Sequence, residues 1–367
     1  MKGKIKSYPD TLIILSTLLL LGIGVIIVYS ASAVLAVQKM DGDAFFYAKR
    51  QLMWAVLGII SMFVMMNYDY HKLMRIARPL LIICFLLLIA VAIPGIGTVR
   101  GGSRAWLGIG SLGIQPSEFA KLGIIIFFAY MLSKNQEKIV EFKRGLLPPL
   151  GIAIAAVGLI MLEPDLGQST VLMGTVIIIL FAAGAKIKHL LGLASLAIPA
   201  FIALVVVAPY RLKRIVAFMD PWAYQLDEGY HIIQSLYAIG PGGLLGLGLG
   251  RSRQKFLYLP EPQTDFIFSI LSEELGFIGG ATLLLLFLLL VWRGLRTAIT
   301  APDTFGSLLA VGITGMIAVQ VIINVGVVTG SMPVTGITLP FISYGGSSLT
   351  LVLTGVGILL NISRQTR

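Results

Sequence analysis

The sequence predicts an all-α, polytopic membrane protein of about ten transmembrane helices, with a long outer loop between spans seven and eight. Three observations predict it. Apolar residues make up 57% of the 367 positions and charged residues only 12%, against ~25% charged in a soluble domain. Charge-free apolar runs recur along the chain, each near the ~20 residues that a span requires. Short charged connectors separate these runs, except for one polar stretch at 211–264. So few charges cannot cover a water-facing surface. That excludes a soluble enzyme, a disordered protein and a simple DNA-binding module. The single cysteine, Cys84, excludes a disulfide framework, and three histidines leave too few ligands for a Cys/His metal cluster. A net charge of +11 in such a chain reflects lysines and arginines held on the cytoplasmic side, not a nucleic-acid partner.

The first run, 11–38, follows Lys2, Lys4 and Lys6. Ala31-Ser32-Ala33 resembles a cleavage site, but the apolar stretch is too long for a signal peptide's core. Further spans are read at 51–66, 79–99, 116–133, 145–162, 166–185, 190–210 and 266–292. The last charge-free run, 304–363, breaks at a Gly/Pro/Ser/Thr-rich segment and supplies two spans. With the N-terminus inside, 16 of the 28 lysines and arginines fall on inner segments. Six of the other 12 sit in the long loop, where the rule is weak. Both termini are therefore expected in the cytoplasm and the whole chain, 1–367, is read as one membrane domain.

Four outer segments carry most of the chemistry. The first runs from Arg100 to Lys121 and includes Arg104, Trp106 and Pro116-Ser-Glu-Phe-Ala-Lys121. Pro116 suits the first turn of a helix. To span, that helix must include Glu118 and Lys121, three apart and so on one face. An ionised group near mid-membrane costs ~2.5–3.5 kcal/mol on insertion scales, so such residues face a cavity or each other. A self-neutralising pair and a cavity lined by one acid and one cation both fit. The second segment is Glu163-Pro-Asp-Leu-Gly-Gln168, a tight turn. Asp165 is placed to cap the following helix, and two carboxylates so close also suit a divalent cation such as Mg or Mn.

The third is the 211–264 loop, too long for a connector. It holds Asp220-Pro-Trp222, an amphipathic stretch at 229–239, a glycine series from Gly240 to Gly250, and then Arg251, Arg253 and Lys255. Glycines free backbone amides to approach an anion and the cations add charge, although a loop that merely packs fits equally. It ends in Leu259-Pro-Glu-Pro-Gln-Thr-Asp265. If Asp265 opens the next helix, Ser269, Ser272, Glu273 and Gly276 share its face and form a polar stripe. The fourth segment, 329–348, is uncharged and rich in Gly, Pro and Ser, including Ser343. It reads as a re-entrant element, because broken backbone at membrane depth must be buried in protein or line a cavity.

A polar cavity with acids at its mouth and cations beside them suits sugar transfer from a lipid pyrophosphate. Such a reaction needs a base for the attacking hydroxyl and charge stabilisation for the leaving group. A transporter for a lipid-linked anion needs the cations but no base.

At these four segments the sequence resembles the SEDS family (shape, elongation, division and sporulation proteins), and the resemblance covers nearly the whole chain. It rests on Gly101-Gly-Ser-Arg-Ala-Trp-Leu107, Gln115-Pro-Ser-Glu-Phe-Ala-Lys121, Glu163-Pro-Asp-Leu-Gly167, Leu259-Pro-Glu-Pro-Gln-Thr-Asp-Phe-Ile-Phe268 and Leu339-Pro-Phe-Ile-Ser-Tyr-Gly-Gly-Ser347. The likeness is strongest to the division and sporulation branch. The resemblance implies a peptidoglycan glycosyltransferase that polymerises lipid II on the outer face of the bacterial plasma membrane, beside a class B penicillin-binding protein. Lipid II and the undecaprenyl-linked glycan strand are its implied substrates. It implies Asp265 as the catalytic aspartate, and Glu118, Lys121 and Asp165 as cavity-lining residues. Arg104, Trp106 and Ser343 are further expected substrate contacts, with Lys121 and Arg104 as charge stabilisers. The alternative reading is a lipid II flippase.

Overall fold

The structure, a computed structural model, describes residues 8–40, 42–100, 103–109, 112–206 and 208–366. Lys2, Lys4, Lys6 and Arg367 of the orientation argument, and Gly101 and Gly102 of the first motif, lie outside these residues. The helices are α1 (Thr11–Lys39), α2 (Phe46–Asn67), α3 (Leu73–Ala92), α4 (Pro116–Lys134), α5 (Leu147–Leu162), α6 (Leu166–Ala182), α7 (Ile187–Val206), α8 (Pro209–Met219), α9 (Tyr230–Gly242), α10 (Ile267–Ile299), α11 (Thr304–Val328) and α12 (Gly346–Ser363). Among the described residues, eight are long and apolar enough to cross a membrane: α1–α5 and α10–α12, with α3 and α5 extended by their preceding turns. The chain is thus an all-α, polytopic membrane protein in its main architecture.

Capping chemistry fixes several starts. Asp10 accepts hydrogen bonds from the Leu12 and Ile13 amides at 3.0 and 3.3 Å. Asp303 accepts from the Gly306 amide at 2.9 Å. Pro116 occupies the first turn of α4. The third span begins at Leu73 instead of residue 79, so α3 absorbs Arg75, Arg78 and Pro79. A long arginine tolerates a helix end because its head reaches back to the boundary. Arg78 does so over the Tyr130 ring of α4, 5.8 Å from its centroid.

Helices α4, α11 and α12 form the buried centre, and α2 closes on α12 through small residues. A side chain at Gly357 of α12 would place its Cβ 2.4 Å from the Met62 carbonyl, and one at Gly58 of α2 would meet Leu353 at 2.4 Å. Such close approach replaces the hydrophobic drive that lipid does not supply between helices. At one end of the bundle Arg293 donates twice to Asp10 at 2.8 and 2.5 Å, and the Asp10 amide donates to Ser363. His71 sits there between Asp69 and Asp303, at 2.8 and 3.1 Å.

The opposite end carries the irregular segments. The 93–115 connection is not a plain loop. It folds into an antiparallel sheet of β1 (Thr98–Arg100), β2 (Ser103–Ile109) and β3 (Leu112–Ile114), in that order. The re-entrant reading of 329–348 agrees with the structure. After α11 the chain turns back inward with Gly330 and Gly336 at φ 66° and 73°. The Phe341 ring reaches Phe287 on α10 at 6.3 Å. A Cβ on Gly24 of α1 would lie 2.2 Å from the Phe341 carbonyl, so the close approach requires glycine there.

The long loop is also structured. α9 runs beside the first turns of α10: His231 stacks on Phe266 at 5.8 Å, and the Ser235 and Ser269 hydroxyls lie 2.8 Å apart. α10 itself breaks at Gly276, where φ is 66° and ψ −166°. A helix break leaves backbone groups without intrahelical partners. Here the returning loop supplies them. The Leu247 and Gly248 amides donate to the Glu273 and Glu274 carbonyls at 2.9 and 3.0 Å, and the Phe277 and Ile278 amides donate to the Gly243 and Leu244 carbonyls at 2.8 and 3.1 Å.

Candidate functional site

Four segments distant in sequence converge at the irregular end. The start of α6 packs on the re-entrant element: a Cβ on Gly167 would lie 2.4 Å from the Thr335 carbonyl. That element is in turn stitched to the end of the long loop. Asn324 of α11 donates to the Asp265 and Ile337 carbonyls at 2.9 and 2.7 Å. The Ser343 hydroxyl donates to the Thr264 carbonyl at 2.6 Å and accepts from the Leu339 amide at 2.8 Å. The Tyr344 amide donates to the Gln263 carbonyl at 2.8 Å. Three of these bonds fix the backbone carbonyls of 263–265, and none involves the Asp265 side chain. No hydrogen bond or ion pair reaches its carboxylate among the described residues. Asp265 Oδ2 lies 3.7 Å from the point a Cβ on Gly336 would take.

Asp265 is half-buried. Burial raises its pKa to about 7, the Glu261 and Asp165 carboxylates add to the rise, and the Arg214 guanidinium opposes it. It does not cap α10, which starts two residues later at Ile267. The neighbouring turn holds two more acids. Asp165 caps α6, accepting from the Gln168 amide at 2.9 Å, and burial raises its pKa to about 6 against that bond and the Lys121 charge. Glu163 is fully buried, and neither carboxylate oxygen has a hydrogen-bond partner. Burial, with Asp165 beside it, raises its pKa to about 8.

Below this mouth, Lys121 donates to Glu118 at 2.9 Å, with 1% and 2% of the two side chains exposed. Gln168 donates to the same Glu118 oxygen at 2.8 Å, and Gln115 reaches Asp165 at 3.4 Å. Glu118, Lys121, Gln168, Asp165 and Gln115 thus form one network. Arg104 and Trp106 lie on β2, both half-buried. The Thr98 hydroxyl donates to the Trp106 carbonyl at 3.1 Å, and the Ser103 hydroxyl to the Glu163 carbonyl, so the sheet is tied to the acidic turn.

The polar stripe expected along α10 faces protein, not a cavity. Ser269 meets α9. Glu273 accepts from the Ser252 hydroxyl and the Arg253 amide at 2.5 and 2.8 Å. Glu274 accepts from the Ser30 hydroxyl, the Ser252 amide and Lys255, the last at 3.0 Å. Of the groups expected to meet an outside anion, Lys255 is therefore taken by Glu274, the Gly248 amide by the Glu274 backbone carbonyl, and the amides of 252–254 beside them by the two carboxylates. Among the described residues, no three His, Cys, Asp or Glu side chains converge on a metal-sized site.

Asn324 escaped the sequence reading, although an asparagine inside the apolar run of α11 carried a signal. Gln320, one turn away, is buried with both side-chain heteroatoms unpartnered.

Residues 10–367 match the profile of the FtsW/RodA/SpoVE cell cycle proteins. Stage V sporulation protein E of Bacillus subtilis (strain 168) is 59% identical over 362 residues, 99% of each chain. A probable peptidoglycan glycosyltransferase FtsW of Geobacter sp. (strain M18) is 44% identical over 358 residues, 98% of this chain and 97% of that one. A chain from a peptidoglycan synthase complex, solved for its coordination of polymerization and crosslinking, superposes with a TM-score of 0.80 at 32% identity, covering 97% of this chain and 98% of that one. The rod shape determining protein RodA of Thermus thermophilus gives 0.72 at 31%, covering 98% and 97%. With a profile match over nearly its whole length and relatives this similar, the chain belongs to the FtsW/RodA/SpoVE family of cell cycle proteins.

Proposed function

We propose that the chain is a peptidoglycan glycosyltransferase that polymerises lipid II, working beside a class B penicillin-binding protein. The observation that carries the reading is the Asp265 carboxylate, immobilised through its backbone, without a cation partner among the described residues, and with its pKa raised to about 7. A general base is most effective when its pKa lies near the working pH. Asp265 takes the proton from the acceptor sugar 4-hydroxyl as that oxygen attacks the donor's anomeric carbon. The bond to the diphosphate breaks with inversion and undecaprenyl pyrophosphate leaves with the electron pair.

The Glu118–Lys121–Gln168–Asp165 network is the polar floor under the sugars. Lys121 is neutralised there by Glu118, so Arg104 carries more of the charge stabilisation than Lys121. Trp106 supplies a ring face for a sugar. Ser343 acts on the substrate indirectly, by fixing the Asp265 backbone. The acids do not form a cation cage of their own, so no step is assigned to Mg or Mn. In this reading ten helices span the bacterial plasma membrane, both termini are cytoplasmic, and the Asp265 end, with the long loop between spans seven and eight, faces outward.

The test is polymerisation of labelled lipid II by purified protein with a matched transpeptidase, with Asp265→Asn alongside. A glycan ladder from the wild type that vanishes in the folded variant supports the reading. A ladder equal in both removes Asp265 as the base. No ladder from either, even with the partner, shifts the assignment to a lipid II flippase, for which a translocation assay in proteoliposomes is the measurement.

A further inference from the structure

A diphosphate leaving group needs cations, and two lysines near the site are already matched. Lys121 is held by Glu118 and Lys255 by Glu274, both pairs buried. The backbone amides of 252–254 point at Glu274 and Glu273. Displacing such partners leaves a buried charge uncompensated. A substrate anion will not open them.

α8 offers cations held at the surface instead of in buried pairs: Arg211 donates to the Tyr210 hydroxyl at 2.9 Å and Arg214 to a partly exposed glutamate. The sequence of α8 is Pro-Tyr-Arg-Leu-Lys-Arg-Ile-Val-Ala-Phe-Met, from Pro209 to Met219. Leu212, Val216 and Met219 share one face at helical spacing, and all three are exposed, Met219 by 80%. Ala217, on another face, is buried against the protein. Arg211 and Arg214, three apart, fall on the flank between the two. Lys213 falls on the other flank and is exposed. An apolar stripe edged by cations is the pattern of a helix lying in the headgroup layer. It follows directly on α7, whose Ile198, Ile202 and Val206 are also exposed.

Arg214 connects this helix to the reacting centre. It donates to Glu228 at 3.3 Å, with 42% and 28% of the two side chains exposed. Glu228 immediately precedes α9, and α9 docks through His231 on Phe266, the neighbour of Asp265. The Arg214 charge is felt at both Asp265 and His231. A solvent-exposed pair of this kind is weak, so Arg214 exchanges Glu228 for a stronger anion at little cost. A guanidinium also suits phosphate oxygens in bidentate geometry.

Resting on the glycosyltransferase reading, we infer that α8 is the diphosphate-binding wall of the site, with Arg214, assisted by Arg211, holding the diphosphate of the lipid-linked sugar while Leu212, Val216 and Met219 lie among the outer lipid chains. The occupant is the polyprenyl diphosphate, not bulk phospholipid, because Arg214 pairs with Glu228 at the start of α9, the helix that docks on Phe266 beside Asp265.

The test uses the full chain in nanodiscs of zwitterionic lipid and measures undecaprenyl pyrophosphate binding directly, which needs no turnover. Arg214→Gln is expected to weaken binding about tenfold or more and Arg214→Lys to recover part of it. Glu228→Gln, which releases Arg214, is expected to hold or tighten binding. In the polymerisation assay with the partner, Arg214→Gln should raise KM for lipid II more than it lowers kcat. Unchanged binding in Arg214→Gln, or weaker binding in Glu228→Gln, overturns the inference even if polymerisation is intact. Loss of discrimination between the diphosphate and phosphatidylglycerol in the wild type overturns the choice of occupant. Diphosphate binding that depends on Arg214 in a protein without polymerase activity keeps α8 as the binding wall and removes only the glycosyltransferase reading.

Discussion

Two acidic regions lie close together at the same end of the bundle and are built on opposite terms. Around Gly276, Glu273 and Glu274 are buried and satisfied by hydroxyls, amides and Lys255. Around the 163–165 turn and Asp265, carboxylates are crowded by one another. Glu163 has no partner for either oxygen, and the Asp265 carboxylate has none among the described residues. Burial raises a carboxyl pKa, and hydrogen bonds to the ionised form oppose the rise. The difference teaches that acid content does not mark the site. Unmatched acid does, and it does so where the backbone is held most tightly.

Breaking the unmatched region should cost activity without stability. Asp265→Asn is expected to reduce polymerisation by about 10²–10⁴-fold while thermal unfolding stays near the wild type. A variant that unfolds early would show the acid to be structural. Breaking the matched region should do the reverse. Lys255→Met leaves Glu274 uncompensated and is expected to destabilise by about 3–5 kcal/mol, read as a lower midpoint of thermal unfolding in detergent. Lys255→Met combined with Glu274→Leu should recover much of that loss. Independent addition of the two losses would mean that the pair is not the unit it appears in the structure.

Acid titration sharpens the same comparison. A base with a pKa of about 7 is active when deprotonated, so the polymerisation rate should fall tenfold per pH unit below about pH 7. An acid limb near pH 4 would show Asp265 unperturbed. The smallest expected effect is at Glu163. Its folded pKa, about 8, lies above the ordinary value of 4.5, so the folded state binds the extra proton. Stability is therefore full below the unfolded pKa, falls as pH rises from about 4.5 to 8, and is level above that. Glu163→Gln removes the fall. Its advantage over the wild type should grow across that window, followed by thermal unfolding at stepped pH.

The spans were legible because apolar run length is a one-dimensional property. The starts at Thr11 and Leu166 follow capping aspartates visible in the sequence, and the start at Pro116 is set by the proline itself. Glu118 and Lys121 were legible as a pair because helical spacing alone places them on one face. Whether they face each other or a cavity was not, since Gln168 enters from 47 residues beyond Lys121. The glycine and cation series at 240–255 looked like an anion cradle. Which groups fill it is decided by Glu273 and Glu274, and contacts between a loop and a later helix leave no local periodicity. The sheet at 98–114 was missed for a similar reason: its short strands alternate too briefly to stand out beside glycines.

The four backbone bonds across Gly276 also govern where the chain accepts foreign sequence. Leu226 and Leu245 are both exposed, at 94% and 79%, and by exposure alone both would suit an epitope tag or a fluorophore. Leu245 sits between carbonyls and amides whose register with residues 273–278 is fixed on both sides, so one added residue there would shear the pairing and reopen α10. Leu226 carries no such constraint. A labelling site for imaging this protein in living cells belongs at the tip before α9, and the glycine hairpin, for all its visibility, is the place to leave untouched.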